Sequence, residues 1–134
     1  MTEEIRVLLV EPCRKPRLVT VEHTLKNLQE LVGGDIEAVY YWDDRVCLVC
    51  DENGLGNRKV PNRLLTDDDG NPQDVLLGTF FICGLGEEDF CSISDEMAEK
   101  YSQRFRWPEM FAHTSNGHVA WMSLDPDTEP RIIY

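Results

Sequence analysis

The sequence is short of basic residues. It contains 13 lysines and arginines against 25 aspartates and glutamates, which gives a formal net charge of −12 at pH 7. A field of that sign repels polyanions, so it argues against a general affinity for nucleic acid or for anionic membranes. The same field favours a basic protein as a partner, although an acidic protein that simply stays in solution needs none.

Long apolar segments are missing as well. The longest apolar runs have about the length of one strand, whereas a helix that crosses a membrane needs about 20 apolar residues. The opening residues, MTEEIRVLLVEPCRKPR, have neither a basic start before an apolar stretch nor a small-residue cleavage site. We therefore expect no signal peptide and no membrane segment.

Metal-binding motifs are also absent. Five cysteines without an export signal favour a reduced, intracellular protein. Cys47 and Cys50 form a C-x-x-C pair, but they lie in a β-rich stretch, where residues three apart point to opposite faces. No second ligand pair accompanies them, as a zinc site requires. We therefore expect cysteines of the core or of a sheet edge, no metal site and no cofactor.

Signatures of catalysis are not found either. No nucleophile motif is present, and His23, His113 and His118 form no metal-binding or catalytic array. These absences favour a protein that is not an enzyme, and we assign no catalytic residues.

The apolar periodicity that is present predicts an α+β fold. Thr24 precedes a helix over residues 25–32 that ends at Gly33, and Ser94 or Ser92 begins a helix that continues to about Arg106. Strands are predicted at 5–12, 18–21, 36–41, 45–52, 75–86 and 118–124, with a short helix in 60–67. We expect one domain over residues 1–134, with a mostly antiparallel or mixed sheet of five to six strands and two main helices packed on it.

A small cationic island interrupts the acidic sequence. Arg58, Lys59 and Arg63 lie within six positions, just before three consecutive aspartates. Glycines in this stretch let the backbone approach a ligand, and arginine can hold a phosphate with two hydrogen bonds. Asn57 and Asn62 could read the edge of a base or a ribose.

The island has a second interpretation. Arg58, Lys59 and Arg63 can instead pair with the aspartates at 67–69, in exposed ion pairs worth about 0–1 kcal/mol each. In that case Asn62 caps the short helix. The residues alone do not decide between the two interpretations.

The sequence resembles a known family. LVEP and VTVEHTLKNLQELVGG match the family's opening, PNRLLTDDDGNPQDVLLGTFFICG its middle, and GEEDFCSISDEMAEKYSQRFRWPEMF its end. These segments resemble domain-of-unknown-function family 3846 over roughly residues 5–111, with Pro61-Asn62-Arg63 and Gly78-Thr79-Phe80-Phe81 as the most specific motifs. Residues 112–134 form a C-terminal extension outside the resemblance. The resemblance implies an accessory or counter-defence protein of bacteria, phages or mobile elements, in the bacterial cytoplasm, and it supplies no catalytic residues.

Two hypotheses of function follow. In the first, a non-catalytic protein sequesters a small anionic, nucleotide-type ligand at Asn57, Arg58, Asn62, Arg63 and Thr79. A homodimer with its pocket at the interface would fit this hypothesis, and the apolar tail RIIY can dock on its own domain or on a neighbour. In the second, an acidic protein imitates nucleic acid and inhibits a basic host protein that binds nucleic acid.

Overall fold

The computed structural model describes residues 3–134, which form two helices and eleven strands. The helices are α1 (Leu25–Val32) and α2 (Asp95–Arg104). The strands of the main sheet are β1 (Glu4–Val10), β2 (Arg17–Glu22), β3 (Ile36–Val39), β4 (Val46–Asp51), β7 (Phe80–Leu85) and β8 (Phe90–Cys91). The remaining strands are β5 (Pro61–Thr66), β6 (Pro72–Leu77), β9 (Glu109–His113), β10 (Val119–Ser123) and β11 (Arg131–Ile132).

The main sheet is antiparallel and has six strands. Its order is β2-β1-β7-β4-β3, and β8 pairs with β7. The three central strands, β1, β7 and β4, read as nearly continuous apolar runs because both of their faces are covered. The α+β class, the strand number and the two helices predicted from the sequence are confirmed.

Each face of this sheet carries its own hydrophobic core. On one face, Leu28 and Val32 of α1 pack over side chains such as Val49 and Phe81. On the other face, α2 packs together with the β5–β6 hairpin, and the core contains Leu8, Val10, Leu48, Leu65, Leu76, Phe80, Tyr101 and Phe105. The sheet is therefore the middle layer of the molecule.

Both helices begin at the caps that the sequence indicates. The Thr24 hydroxyl accepts a hydrogen bond from the Asn27 backbone N–H at 3.2 Å, and α1 ends at Gly33, whose φ is 75°. The Ser94 hydroxyl accepts one from the Met97 backbone N–H at 3.2 Å. Such caps satisfy N–H groups that have no partner inside the helix.

The prediction of one continuous strand over 75–86 is wrong. Gly78 adopts φ 73°, a left-handed conformation, and divides the apolar run into β6 and β7. Its backbone N–H donates to the Val60 carbonyl at 2.8 Å. As a result β6 turns away to pair with β5, and only β7 enters the centre of the main sheet.

The predicted short helix in 60–67 is also wrong, because these residues form β5. The strand pairs antiparallel with β6, with register irregularities beside Pro61 and Thr66. Proline is tolerated at the first residue of a strand, where its missing N–H interrupts the ladder least. Pairing with β6 and burial of Leu64 and Leu65 outweigh the local helical preference of this segment.

The C-terminal residues 112–134 pack on their own domain. Strands β9, β10 and β11 form a second antiparallel sheet, of which only β10 was predicted. Arg131 Nη2 donates to the Gly70 carbonyl at 2.8 Å, and the Ile133 side chain is buried. Neither α1 nor α2, the helices found within residues 3–134, is long and apolar enough to cross a membrane.

Replacing Gly78 with alanine should lower stability more than the same change at Gly70. Both glycines have left-handed backbones, with φ 73° and 82°. A methyl group at Gly78 would lie 3.1 Å from side-chain carbons of Lys59, whereas at Gly70 it meets nothing within 4 Å. We expect a loss of about 1 kcal/mol for Gly70→Ala and roughly 2–3 kcal/mol for Gly78→Ala, measured by urea denaturation. Equal losses would contradict a role for the Lys59 contact.

Candidate functional site

The five residues predicted to bind a ligand do not lie together around one pocket. Asn57 and Arg58 are exposed in the turn between β4 and β5, and Arg58 has a left-handed backbone with φ 56°. Asn62 and Arg63 are fully buried in β5, and Thr79 is half-buried just before β7. The cationic island is thus divided between the surface and the interior.

Arg63 is a buried structural residue. Its Nε and Nη2 atoms donate to the Phe105 carbonyl at 3.3 and 3.0 Å, and Nη2 also donates to the Arg14 carbonyl at 2.6 Å. Nη1 donates to the backbone and side-chain oxygens of Asn62 at 3.2 and 2.7 Å. All three guanidinium nitrogens are therefore engaged within the protein, and the expectation that Arg63 faces a ligand pocket is corrected.

Asn62 extends the same network. Its Nδ2 donates to the Val10 carbonyl at 3.0 Å and to the Gly78 carbonyl at 2.8 Å. The amide thus joins β5 to the end of β1 and to the glycine that separates β6 from β7. Asn62 neither caps a helix nor faces solvent, so both sequence-based interpretations of this residue are corrected.

The alternative pairing of the island with the aspartates at 67–69 is not observed either. Lys59 Nζ donates to the Gly33 carbonyl at 3.1 Å, at the end of α1. Asp67 instead holds its own turn, because its Oδ1 accepts from the backbone N–H groups of Asp69 and Asn71 at 2.9 and 2.8 Å. These turn hydrogen bonds lower the pKa of Asp67.

The Arg63 network fixes the end of α2. Phe105 is the C-terminal cap of α2, and the guanidinium group donates twice to its carbonyl. A cation at this position satisfies a carbonyl that has no partner in the helix and complements the helix dipole. Arg63 therefore holds in place the start of the backbone that leads from Phe105 to β9.

That backbone forms one wall of a cavity of about 520 Å³. The cavity lies between the end of α2, the β5–β6 hairpin and the second sheet, and its volume is within the range of small-molecule sites. Its lining includes two arginines, three carboxylates and two tryptophans, namely Arg104, Arg131, Glu109, Asp125, Glu129, Trp107 and Trp121. We call this space the C-terminal cavity.

The two arginines of the lining are each held by a backbone carbonyl and lie beside a tryptophan ring. Arg104 Nη2 donates to the Thr66 carbonyl at 2.9 Å, and its guanidinium carbon lies 5.6 Å from the centre of the Trp42 ring. Arg131 Nη2 donates to the Gly70 carbonyl at 2.8 Å, and its guanidinium lies 5.2 Å from the centre of the Trp121 ring. Each guanidinium has five N–H groups, so most of its donors remain available to a ligand.

Glu109 forms the buried acidic part of the lining. Its Oε1 accepts from the Leu64 backbone N–H at 2.7 Å and from the Trp121 indole N–H at 2.6 Å. Its Oε2 lies 3.9 Å from Arg63 Nε, and the side chain is 11% exposed. Burial raises the pKa of Glu109 although both hydrogen bonds and the Arg63 charge oppose this change, and burial lowers the pKa of Arg63.

The sequence analysis missed Glu109, Trp121 and Arg131. A signal was present in the strand alternation, because Glu109 and Phe111 share one face of β9 while Trp121 and Ser123 occupy the paired positions of β10. What the alternation did not reveal is that this face closes over the end of α2.

Of the two predicted positions for Cys47 and Cys50, core or sheet edge, the structure shows the core, because β4 is an inner strand of the main sheet. Cys47 is buried and Cys50 is half-buried on β4, and burial raises the pKa of Cys50 to about 11. Within residues 3–134, no three histidine, cysteine, aspartate or glutamate side chains are grouped so that they could hold a metal ion.

Comparison with known proteins gives one family match. The model of a family described as Domain of unknown function (DUF3846) matches residues 5–106. No curated protein and no solved structure matches the chain. The matched region contains Arg63, Gly78 and α2 and ends before β9, so the C-terminal cavity is formed between the matched region and the remaining residues.

Removing the Arg63 side chain should destabilise the fold strongly. Arg63→Ala would leave the carbonyls of Phe105 and Arg14 without this donor and Glu109 without its cation, and loss of one partner from a buried charge pair costs about 3–5 kcal/mol. Urea denaturation monitored by circular dichroism measures this loss. Arg58→Ala is the matched control, because Arg58 is exposed and its variant should stay within about 0.5 kcal/mol of the parent. Similar stability of the two variants would contradict the structural role of Arg63.

Proposed function

We propose that this protein, which belongs to the DUF3846 family, binds a small nucleotide-type anion in the C-terminal cavity and sequesters it without catalysis. The observation that carries the proposal is the lining of this cavity, where Arg104 and Arg131 face the same space as Trp107 and Trp121. Guanidinium groups bind phosphate, and indole rings offer apolar faces to a base.

The mixed charge of the lining supports a nucleotide over a simple anion. Three carboxylates and two guanidinium groups share the cavity, so its charge is close to balanced. Inorganic phosphate would meet the carboxylates as well as the arginines and would gain little. A nucleotide carries an anionic phosphate for the arginines, and it also carries ribose hydroxyls and base N–H groups that carboxylates accept.

The proposed site replaces the cationic island as the place of binding. Arg63 holds the end of α2 and does not line the cavity, and Asn62 accepts a hydrogen bond from Arg63 in turn. Asn57 and Arg58 lie on the exposed turn between β4 and β5. Asn57 Nδ2 donates to Asp51 Oδ2 at 2.8 Å, so this amide contributes to the turn.

Sequestration of such a ligand is an activity that requires no catalytic group. Inside a bacterial cell, it would lower the free concentration of a nucleotide signal, a role that suits a protein of a phage or mobile element acting against host defence. Each protein molecule removes one ligand molecule from solution. The size of the effect therefore depends on the affinity of the site and on the abundance of the protein.

Removing a guanidinium group from the cavity should weaken nucleotide binding. Arg131→Gln and Arg104→Gln each delete a charged hydrogen-bond donor, worth about 1.5–3 kcal/mol, so the dissociation constant should rise roughly 10- to 150-fold. Isothermal titration calorimetry with a panel of ribonucleoside monophosphates and diphosphates measures this change, with inorganic phosphate as the reference anion.

Variants of the cationic island are the matched controls for this experiment. Arg58→Gln removes an equal charge, and Asn57→Ala removes a predicted ligand-binding amide, outside the cavity. Both should bind nucleotides as the parent does. If no nucleotide binds, or if Arg58→Gln weakens binding as much as Arg131→Gln, the proposed site is wrong.

A second candidate function rests on the outer face of the second sheet. Met110 lies directly opposite Met122, and Ala120 lies opposite both Ala112 and Ile132, so these five apolar residues share one face. Met110 and Ile132 are 55% and 56% exposed. An exposed apolar face beside the acidic turn that follows β10 fits a basic protein partner with an apolar contact surface.

Inhibition of a basic host protein would require this face. A Met110→Ser, Met122→Ser double variant should lose capture of a purified host nucleic-acid-binding protein, whereas Leu55→Ser, at an exposed apolar residue elsewhere, should not. Capture should also weaken with rising salt, because the acidic rim contributes through long-range attraction. If neither the double variant nor rising ionic strength reduces capture of the host protein, this function is contradicted.

A further inference from the structure

We infer that Glu109 selects nucleobases that carry an exocyclic amino group, because its Oε2 atom accepts a hydrogen bond from that group in the C-terminal cavity. The inference rests on the proposed function and deepens it, since it names the class of base that the site takes. It follows from the different positions of the two carboxylate oxygens.

One oxygen of Glu109 is committed to the protein. Oε1 accepts from the Leu64 backbone N–H at 2.7 Å and from the Trp121 indole N–H at 2.6 Å. These two short contacts come from β5 and β10, and both of them hold the Oε1 atom. The orientation of Glu109 is therefore set before any ligand arrives.

The other oxygen is not committed to a protein donor. Oε2 has Arg63 Nε at 3.9 Å, which is beyond hydrogen-bond distance, and it accepts no hydrogen bond within residues 3–134. Over those same residues, every side-chain nitrogen or oxygen atom that is sealed from solvent has a hydrogen-bond partner. Oε2 therefore keeps some contact with solvent, and Glu109 is one of the residues that line the cavity.

This arrangement distinguishes bases by the group at one position. An ionised carboxylate oxygen only accepts hydrogen bonds. The amino groups of cytosine, adenine and guanine donate to it, whereas uracil and hypoxanthine present a carbonyl oxygen at the corresponding position and would face it acceptor to acceptor. A site built around a buried polar group rejects the ligand that leaves this group unpaired.

Two pairs of nucleotides isolate this contact. Cytidine and uridine monophosphates differ at the 4-position in carrying an amino or an oxo group, and adenosine and inosine monophosphates differ in the same way at the 6-position. We expect the amino-bearing member of at least one pair to bind roughly tenfold or more tightly than its oxo partner in isothermal titration calorimetry. Equal affinities within both pairs would overturn the inference.

Glu109→Gln should reverse the preference. Leu64 and Trp121 both donate to the position of Oε1, so the glutamine oxygen must remain there and its NH₂ group must take the position of Oε2. The cavity then presents a donor, which pairs with an oxo group and leaves an amino group unpaired. A structural role alone would weaken both members of a pair equally and would not invert their order.

Asp125→Asn and Glu129→Gln are the matched controls, because they neutralise the other two carboxylates of the lining. Each should keep the order of the parent. Circular dichroism establishes folding of every variant, and if Glu109→Gln does not fold, the comparison of paired ligands in the parent decides the inference.

The outcomes separate the two levels of the proposal. If nucleotides bind with an affinity that depends on Arg131 but is equal for amino and oxo bases, the role of Glu109 is overturned and the proposed function remains in place. Absence of binding by every nucleotide overturns both.

Discussion

The buried guanidinium group of Arg63 is the interaction on which the arrangement of this protein depends. A charge without solvent is unfavourable unless its donors are satisfied, and here carbonyls from three separate parts of the chain, at Arg14, Asn62 and Phe105, accept them. Burial lowers the pKa of this arginine, and the nearby Glu109 opposes that effect. These acceptors must therefore stay in place around Arg63. This requirement fixes β5, the end of α2 and the first residue of β9 relative to one another.

The C-terminal cavity is a consequence of that constraint. Part of its wall, at Phe105 and Glu109, is contacted by Arg63, but the guanidinium group itself does not line the cavity. Glu109 is common to both environments, because its Oε2 lies 3.9 Å from Arg63 Nε and the residue also lines the cavity. A buried network of this kind holds side chains in one orientation, which is the property that a selective binding site needs.

Local signals predicted the elements well where local interactions decide the conformation. The caps at Thr24 and Ser94 are visible in the sequence because each satisfies an N–H group three residues ahead. The predictions failed where pairing partners are distant. Residues 60–67 form a strand because β6 pairs with them, and the apolar run at 75–86 is divided by the left-handed backbone of Gly78. Neither event is specified by propensity within the segment itself.

By itself, the sequence determined the α+β class, the presence of the two helices and the strongly acidic character, since each depends on composition or on spacing over a few residues. Only the tertiary structure decided which arginines are available to a ligand. Arg63 and Arg131 have the same side chain, yet one is enclosed by carbonyls and the other lines a cavity. That difference arises from contacts between residues far apart in the chain, because burial and hydrogen-bond partners are properties of the packed elements.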